Sequence, residues 1–109
     1  MSVAEKDKID GIGVDEKTNT LVFLIADHLP WIIEEYKHLK ILQAKLNTYI
    51  AYIDSKQYKS IYRNKDFEQF RIEIVFKYQF TENCEKFLST ARAELKSHNI
   101  AIKYSVAKN

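Results

Sequence analysis

The residues with the clearest chemical potential follow directly on the apolar run of residues 21–26: they are Asp27, His28 and Trp31. A carboxylate beside an imidazole could orient it as a general base, and the end of a buried strand is a common place for a site. These three residues are a candidate corner for a small ligand or for catalysis. No serine, nor Cys84, stands in a nucleophile motif, and no glycine-rich turn offers an oxyanion or phosphate cradle. We therefore assign no catalytic residues and expect no enzyme.

The same corner has a structural interpretation. Proline restricts the residue before it to an extended conformation and suits the first position of a helix, where its missing N–H is not needed. This predicts that a helix begins at Pro30, with Leu29 extended before it. Asp27 would then serve nearby backbone N–H groups, which is the usual role of an acid at such a junction. We favour this interpretation over catalysis.

Metal binding and thiol chemistry have weaker support. The three histidines, His28, His38 and His98, match no ligand spacing, and one cysteine cannot form a pair. No metal and no cofactor are predicted. Cys84 shares an apolar helical stripe with Phe87 and Leu88, which predicts a buried thiol rather than a reactive one.

The elements that must position the corner follow from hydrophobic periodicity. A hairpin is predicted from strands at 9–14 and 20–26, then a helix at 30–57, a strand at 70–80, a helix from Thr81 to about His98, and a strand at 100–106. The last two strands each have one polar face, so both helices should cover the other face. The prediction is an α+β two-layer sandwich: a four-stranded mixed sheet with two helices on one face, in the order ββαβαβ. The strand order in space stays open.

Size and charge narrow the class of protein. A chain of 109 residues predicts one domain spanning residues 1–109, with frayed ends at 1–7 and 107–109. The net charge is +2, from 17 basic and 15 acidic residues mixed along the chain, which makes nucleic acid an unlikely partner. The longest apolar run is far below the roughly 18 residues of a membrane span. With no signal-like start, we expect a cytoplasmic protein without a membrane segment.

One face of the predicted sheet has no helix to cover it. An apolar centre with a charged rim is a surface that a protein partner or a second copy of the chain would cover. We call it the open face; its residues are Val22, Leu24, Arg71, Glu73, Val75, Lys77 and Lys103. The leading interpretation is thus a non-enzymatic protein–protein interaction module, with a toxin-neutralising immunity protein as a fold-level analogy. The alternative is a solvated face with scattered apolar residues.

A second hypothesis is single-stranded nucleic-acid binding. Aromatic and basic residues alternate in one short segment, the pattern of a base-stacking platform. Its residues are Tyr58, Lys59, Tyr62, Arg63 and Lys65. The nearby Asp66 and Glu68 and the near-neutral total charge weigh against it.

Three short motifs carry a resemblance to a known group of proteins. They are "IDGIG" at residues 9–13, the Asp27-His28-x-x-Trp31 junction, and "TENC" at residues 81–84. Over most of its length the chain resembles a family of short, uncharacterised bacterial proteins, described only as a domain of unknown function. The resemblance implies a bacterial, cytoplasmic protein and implies no mechanism.

Overall fold

The computed structural model describes residues 3–5 and 7–107. Its main elements are β1 (Gly11–Asp15), β2 (Thr20–Asp27), α1 (Glu35–Asp54), β3 (Gln69–Phe76), α2 (Glu82–Leu95) and β4 (Ile100–Val106). Short 3-10 turns at Gln57–Ser60 and Lys96–His98 follow the two helices. The strands lie in the order β1-β2-β3-β4, with β1 antiparallel to β2 and the other two pairings parallel. The predicted α+β two-layer sandwich is confirmed.

Local sequence signals explain several of these boundaries. In the hairpin turn Asn19 takes a positive φ of 51°, a conformation that asparagine tolerates better than most residues. At the start of α2 the Thr81 hydroxyl accepts a hydrogen bond from the Cys84 N–H, so Thr81 caps the helix. Asn99, with φ 61°, ends the following 3-10 turn in the left-handed conformation.

The core lies between one face of the sheet and the two helices. Alternate residues of β3, from Phe70 to Phe76, point into it, as do Leu21, Phe23 and Ile25 of β2. Buried residues of both helices belong to the same cluster. Both helices therefore pack on one face, and within residues 3–5 and 7–107 no helix covers the opposite face.

Two predicted boundaries are wrong by four residues or more. Helix α1 begins at Glu35 and not at Pro30, since the chain continues without regular structure after β2 and turns at Glu34, whose φ is 58°. Strand β3 ends at Phe76 and not at residue 80. Its neighbours end there: Lys77 N–H reaches the last residue of β2, and Phe76 C=O accepts from Ala107, just beyond β4. Polar alternation alone cannot extend a strand past its partners.

The N-terminal segment is held by buried polar contacts. The Val3 side chain is fully buried and its N–H donates to Ala26 O at 2.9 Å. The buried Lys45 ammonium binds the backbone carbonyls of Glu5 and Lys8. For residues 1, 2, 6, 108 and 109, the fraying prediction lies outside the described residues.

Candidate functional site

The end of β2 and the first turn of α1 meet in a buried acid–histidine pair. The Nε2 atom of His38 lies 2.8 and 2.7 Å from the two carboxylate oxygens of Asp27, and both side chains are buried. The Leu29 N–H also donates to Asp27 Oδ1 at 3.1 Å, so the carboxylate serves the local backbone as predicted. Asp27 thus fixes the orientation of the His38 ring.

Trp31 covers this pair. Its indole stacks on the His38 ring with centroids 3.5 Å apart and an angle of 16° between the planes, and it also contacts Phe76. Two buried ring atoms, Trp31 Nε1 and His38 Nδ1, have no hydrogen-bond partner among the described residues. Buried polar atoms are normally paired, so an unpaired pair of ring nitrogens calls for a physical explanation.

Asp27 does not orient His28, which was the alternative that the sequence left open and that we disfavoured. His28 is exposed, and the carboxylate binds His38, eleven residues further along the chain. The sequence held a signal for this, because His38, Leu42, Lys45 and Tyr49 recur at spacings of four and three residues on the buried face of α1. A histidine on an apolar stripe needs a buried partner, and the acid at the end of β2 supplies it.

A cavity of about 320 Å³ opens beside His38. Its wall is mostly apolar. The wall also includes Glu34 and Lys37, whose charged groups lie 3.9 Å apart. The lining residues are Ala4, Leu29, Pro30, Ile33, Glu34, Lys37, His38 and Ile41. The cavity thus lies next to one member of the buried pair, at the start of α1.

Three large apolar side chains project into solvent at this corner. Ile32 is 97% exposed, Ile33 70% and Tyr36 71%. We call these three residues the corner patch. Isolated exposed apolar residues are ordinary, but three within five positions, one of which lines an apolar cavity, concentrate exposed apolar surface in one short segment.

The open face is less apolar than the corner patch. Leu24 is 38% exposed, while Val22 and Val75 are partly buried. Arg71 joins Glu73 at 2.7 Å and Asp15 at 3.4 Å, and hydrogen bonding to Glu73 is the main reason that the pKa of Arg71 is raised. Lys77 and Lys103 are exposed, the former just beyond the end of β3. The structure thus gathers the predicted residues on or beside one uncovered surface.

The nucleic-acid hypothesis finds little support in the placement of its aromatic residues. Tyr58 is buried against Phe67 and Phe70, and the partly buried Tyr62 also packs edge-on to Phe67. A ring that packs in the core cannot stack on a base. Two of the three cations form exposed ion pairs, Lys59 with Asp66 at 3.6 Å and Lys65 with Glu16 at 3.2 Å.

Cys84 is buried close to the corner. Burial raises the pKa of its thiol to about 12, and the negative charges of Asp27, Glu35 and Glu85 add to this effect. A thiol with so high a pKa is a poor nucleophile.

Within residues 3–5 and 7–107, no group of three or more His, Cys, Asp or Glu residues is arranged to hold a metal ion. In the same part of the chain, no helix is long and apolar enough to cross a membrane.

Comparison with models of known protein families assigns the chain to a family. The model of a family of unknown function, DUF6572, matches residues 1–108. The chain belongs to this family. Searches of the curated proteins and of the solved structures gave no significant match. Membership agrees with the resemblance noted from the sequence and adds no activity to it.

Proposed function

We propose that this member of the family is a non-enzymatic protein-binding module that contacts its partner through the corner patch. The exposure of Ile32, Ile33 and Tyr36 is the observation that carries the proposal. Removing apolar surface from water yields roughly 25 cal/mol per Å², so covering three such side chains is a substantial driving force for association. Contacts of this kind form the centre of many protein interfaces.

The residues next to the corner patch are held in place by packing, which favours a contact surface that is formed before the partner binds. Just before the patch, Trp31 is buried between His38 and Phe76, and His38 is held in turn by Asp27. A rigid base limits the side-chain and backbone ordering that association would otherwise require. The charges around the patch have both signs, with Glu34 and Glu35 beside Lys37 and Lys40, which suits the polar rim of an interface.

The partner in this proposal is another protein, and its identity is open. Neutralising a toxin by binding it is one such function, and it rests on fold-level analogy alone. The lack of an assembled nucleophile, base and oxyanion cradle in the described chain supports a binding role over catalysis. The Asp27–His38 pair has the orientation of a general base, but its remaining ring nitrogen is buried.

The open face is a second candidate contact surface for the same function. Four strands at about 4.8 Å spacing and up to eight residues at about 3.3 Å rise give it a projected area of roughly 500 Å². Stable interfaces bury about 800 Å² per partner, so this face alone would support a weak contact. Leu24 lies near its centre, between its sheet neighbours Gly11 and Glu73.

The test compares three baits in affinity capture from the native cell, with quantitative mass spectrometry. The baits are the wild-type chain, the double variant Ile32→Ser/Ile33→Ser, and Ile61→Ser, which changes a 57% exposed isoleucine beyond the other end of α1. We expect specific partners to be lost with the double variant and retained with Ile61→Ser. A Leu24→Ser bait reports on the open face. Identical partner sets for the double variant and the wild type would refute the proposed surface.

Self-association is measured separately. Sedimentation of the wild type and of the double variant shows whether a second copy covers the corner patch. A dimer that disappears in the double variant would contradict the proposal of a different protein as partner. A monomer in both cases leaves the patch free for that partner.

A further inference from the structure

We infer that the open face joins two copies of this chain, with apolar side chains of β2 in one copy filling the glycine positions of β1 in the other. The inference goes beyond the proposed function, which concerns the corner patch and a different protein. It starts from a groove of about 480 Å³ on the open face. The groove is lined by all five residues of β1 and by Val22, Leu24, Arg71 and Glu73.

The fold of a single copy does not account for the glycine at position 13. Gly13 has no positive φ, and a Cβ atom built on it would have no other atom of the described chain within 4 Å, its sequence neighbours aside. Glycine weakens a strand, because it costs more backbone entropy than other residues and has no side chain to pack. In a strand it often marks a place where another molecule approaches the backbone closely.

Gly11 is different in this respect. A Cβ atom on Gly11 would lie 3.3 Å from the Cβ atom of Leu24, which is closer than most such contacts. Packing within one copy therefore already favours a small residue at position 11. The unexplained glycine is Gly13, and it is the observation on which the inference depends.

Strand pairing places a larger apolar side chain beside each glycine. In the register of β1 and β2, Val22 lies opposite Gly13, and Leu24 lies opposite Gly11. We call Val22 and Leu24 the ridge, and the two glycines the trough. A two-fold axis parallel to the strands, between β1 and β2, exchanges these positions, so the ridge of each copy lies in the trough of the other. A second copy thus supplies by symmetry the shape that the trough fits.

The charges on the open face agree with this arrangement. The ridge and the trough carry no charge, so their contact brings no like charges together. Arg71 lies on β3, on the far side of the ridge from β1, and its guanidinium extends to Asp15 at the end of β1. The same two-fold axis brings Arg71 of each copy to the β1 edge of the other, where Asp15 lies. Opposite charges therefore face each other across the contact.

The size of the face predicts a weak dimer. Its projected area of roughly 500 Å² is an upper limit for the contact, whereas stable interfaces bury about 800 Å² per partner. We therefore expect a dissociation constant in the high-micromolar to millimolar range. Sedimentation equilibrium of the purified chain, up to millimolar concentration, measures it.

The decisive variant is Gly13→Val, which adds a side chain to the trough. Valine is also the kind of residue that a strand prefers, so urea unfolding should show an unchanged or higher stability. Dimerisation should weaken by at least about tenfold, the usual effect of an extra side chain in a packed contact. Ala101→Val is the matched control, because Ala101 is exposed in the same row of the sheet but lies on β4, outside the contact. It should leave the dimer intact.

Nuclear magnetic resonance locates the contact. Gly11 and Gly13 are the two glycines of the chain, so their amide signals are readily identified, and they should shift with concentration in the wild type. A chain that stays monomeric, or a dimer that Gly13→Val leaves intact, would overturn the inference. A large loss of stability in Gly13→Val would do so as well, because the fold itself would then require the glycine.

These measurements use the chain alone and are independent of the capture experiment. Failure here removes self-association through the open face. Failure there removes a different protein as the partner of the corner patch.

Discussion

The Lys45 ammonium lies 2.7 Å from the Asp10 carboxylate, and both side chains are almost completely removed from solvent. The other carboxylate oxygen of Asp10 accepts a hydrogen bond from the Ala26 N–H, and the Asp10 backbone N–H donates to the Tyr49 hydroxyl. Every member of this cluster has a partner, which is the condition under which a buried ion pair is tolerated. The pair connects the N-terminal segment, β2 and α1.

Replacing Lys45 by methionine should be strongly destabilising. The variant leaves the Asp10 carboxylate buried without its cation, and removing one partner of a buried pair typically costs about 3 to 5 kcal/mol. Urea unfolding at neutral pH measures the loss, with Lys40→Met, on the exposed side of α1, as the control that should change stability by less than about 0.5 kcal/mol. Adding Asp10→Asn should recover part of the loss. A cost for Lys45→Met near that of the control would show that the pair contributes little.

Replacing each of the two histidines near the corner by alanine should change the stability of the fold by very different amounts. His38→Ala leaves the Asp27 carboxylate buried and removes the ring on which Trp31 stacks, so we expect a loss of at least about 3 kcal/mol. His28 is exposed, and His28→Ala should change stability by less than about 0.5 kcal/mol. Chemical denaturation monitored by Trp31 fluorescence distinguishes the two. A large effect of His28→Ala would instead favour the alternative in which Asp27 pairs with His28.

The contrast between these histidines shows what the sequence could determine. Strands and helices can be recognised in the sequence from periodicity and capping residues. Examples are the alternation from Phe70 to Phe76 and the cap at Thr81. Residues 28–34 have no period, so their path, and hence the partner of Asp27, depends on how α1 packs across the sheet. That packing is a tertiary property that local pattern does not contain.

The exposure of apolar residues was likewise predictable from the sequence in one region and not in another. The open face was predictable because strand alternation separates the two faces of a sheet. The corner patch was not, since Ile32 and Ile33 were expected within a helix that began at Pro30. Once α1 begins at Glu35, the two isoleucines lie in an irregular segment outside the core, and their exposure follows.

Cys84 should make the stability of the fold depend on alkaline pH. Burial raises the pKa of its thiol from 9.0 to about 12, so the unfolded chain releases this proton at lower pH than the folded chain does. The unfolded state therefore binds fewer protons between pH 9 and 12, and the free energy of unfolding falls as the pH rises through this window. Burial also raises the pKa of Tyr49 above its usual value of 10.0, which acts in the same direction.

Cys84→Ala tests the contribution of the thiol. Urea unfolding at pH 7 and pH 10 should show a smaller loss of stability on going to pH 10 in the variant than in the wild type. In the wild type at pH 8, a thiol reagent should react only as fast as the chain unfolds, because the folded thiol is protonated and buried. Rapid labelling of the folded protein would contradict the raised pKa.

Glu34 offers a way to stabilise the corner. It precedes α1 with φ 58° and ψ 46°, a left-handed conformation that disfavours residues with a Cβ atom by roughly 1 to 2 kcal/mol, and it makes no side-chain cap. Glu34→Gly removes this penalty but increases the freedom of the unfolded chain, so we expect a net gain of about 0.5 to 1 kcal/mol in the free energy of unfolding.

Glu34→Ala is the matched control for that change. It also loses the long, exposed contact with Lys37, which contributes little, but keeps the Cβ atom and hence the strain. Its stability should stay near that of the wild type, so a gain specific to glycine assigns the effect to the backbone. Equal stability of the two variants would mean that the surroundings relieve the left-handed conformation, and that the turn into α1 imposes no strain on the corner patch.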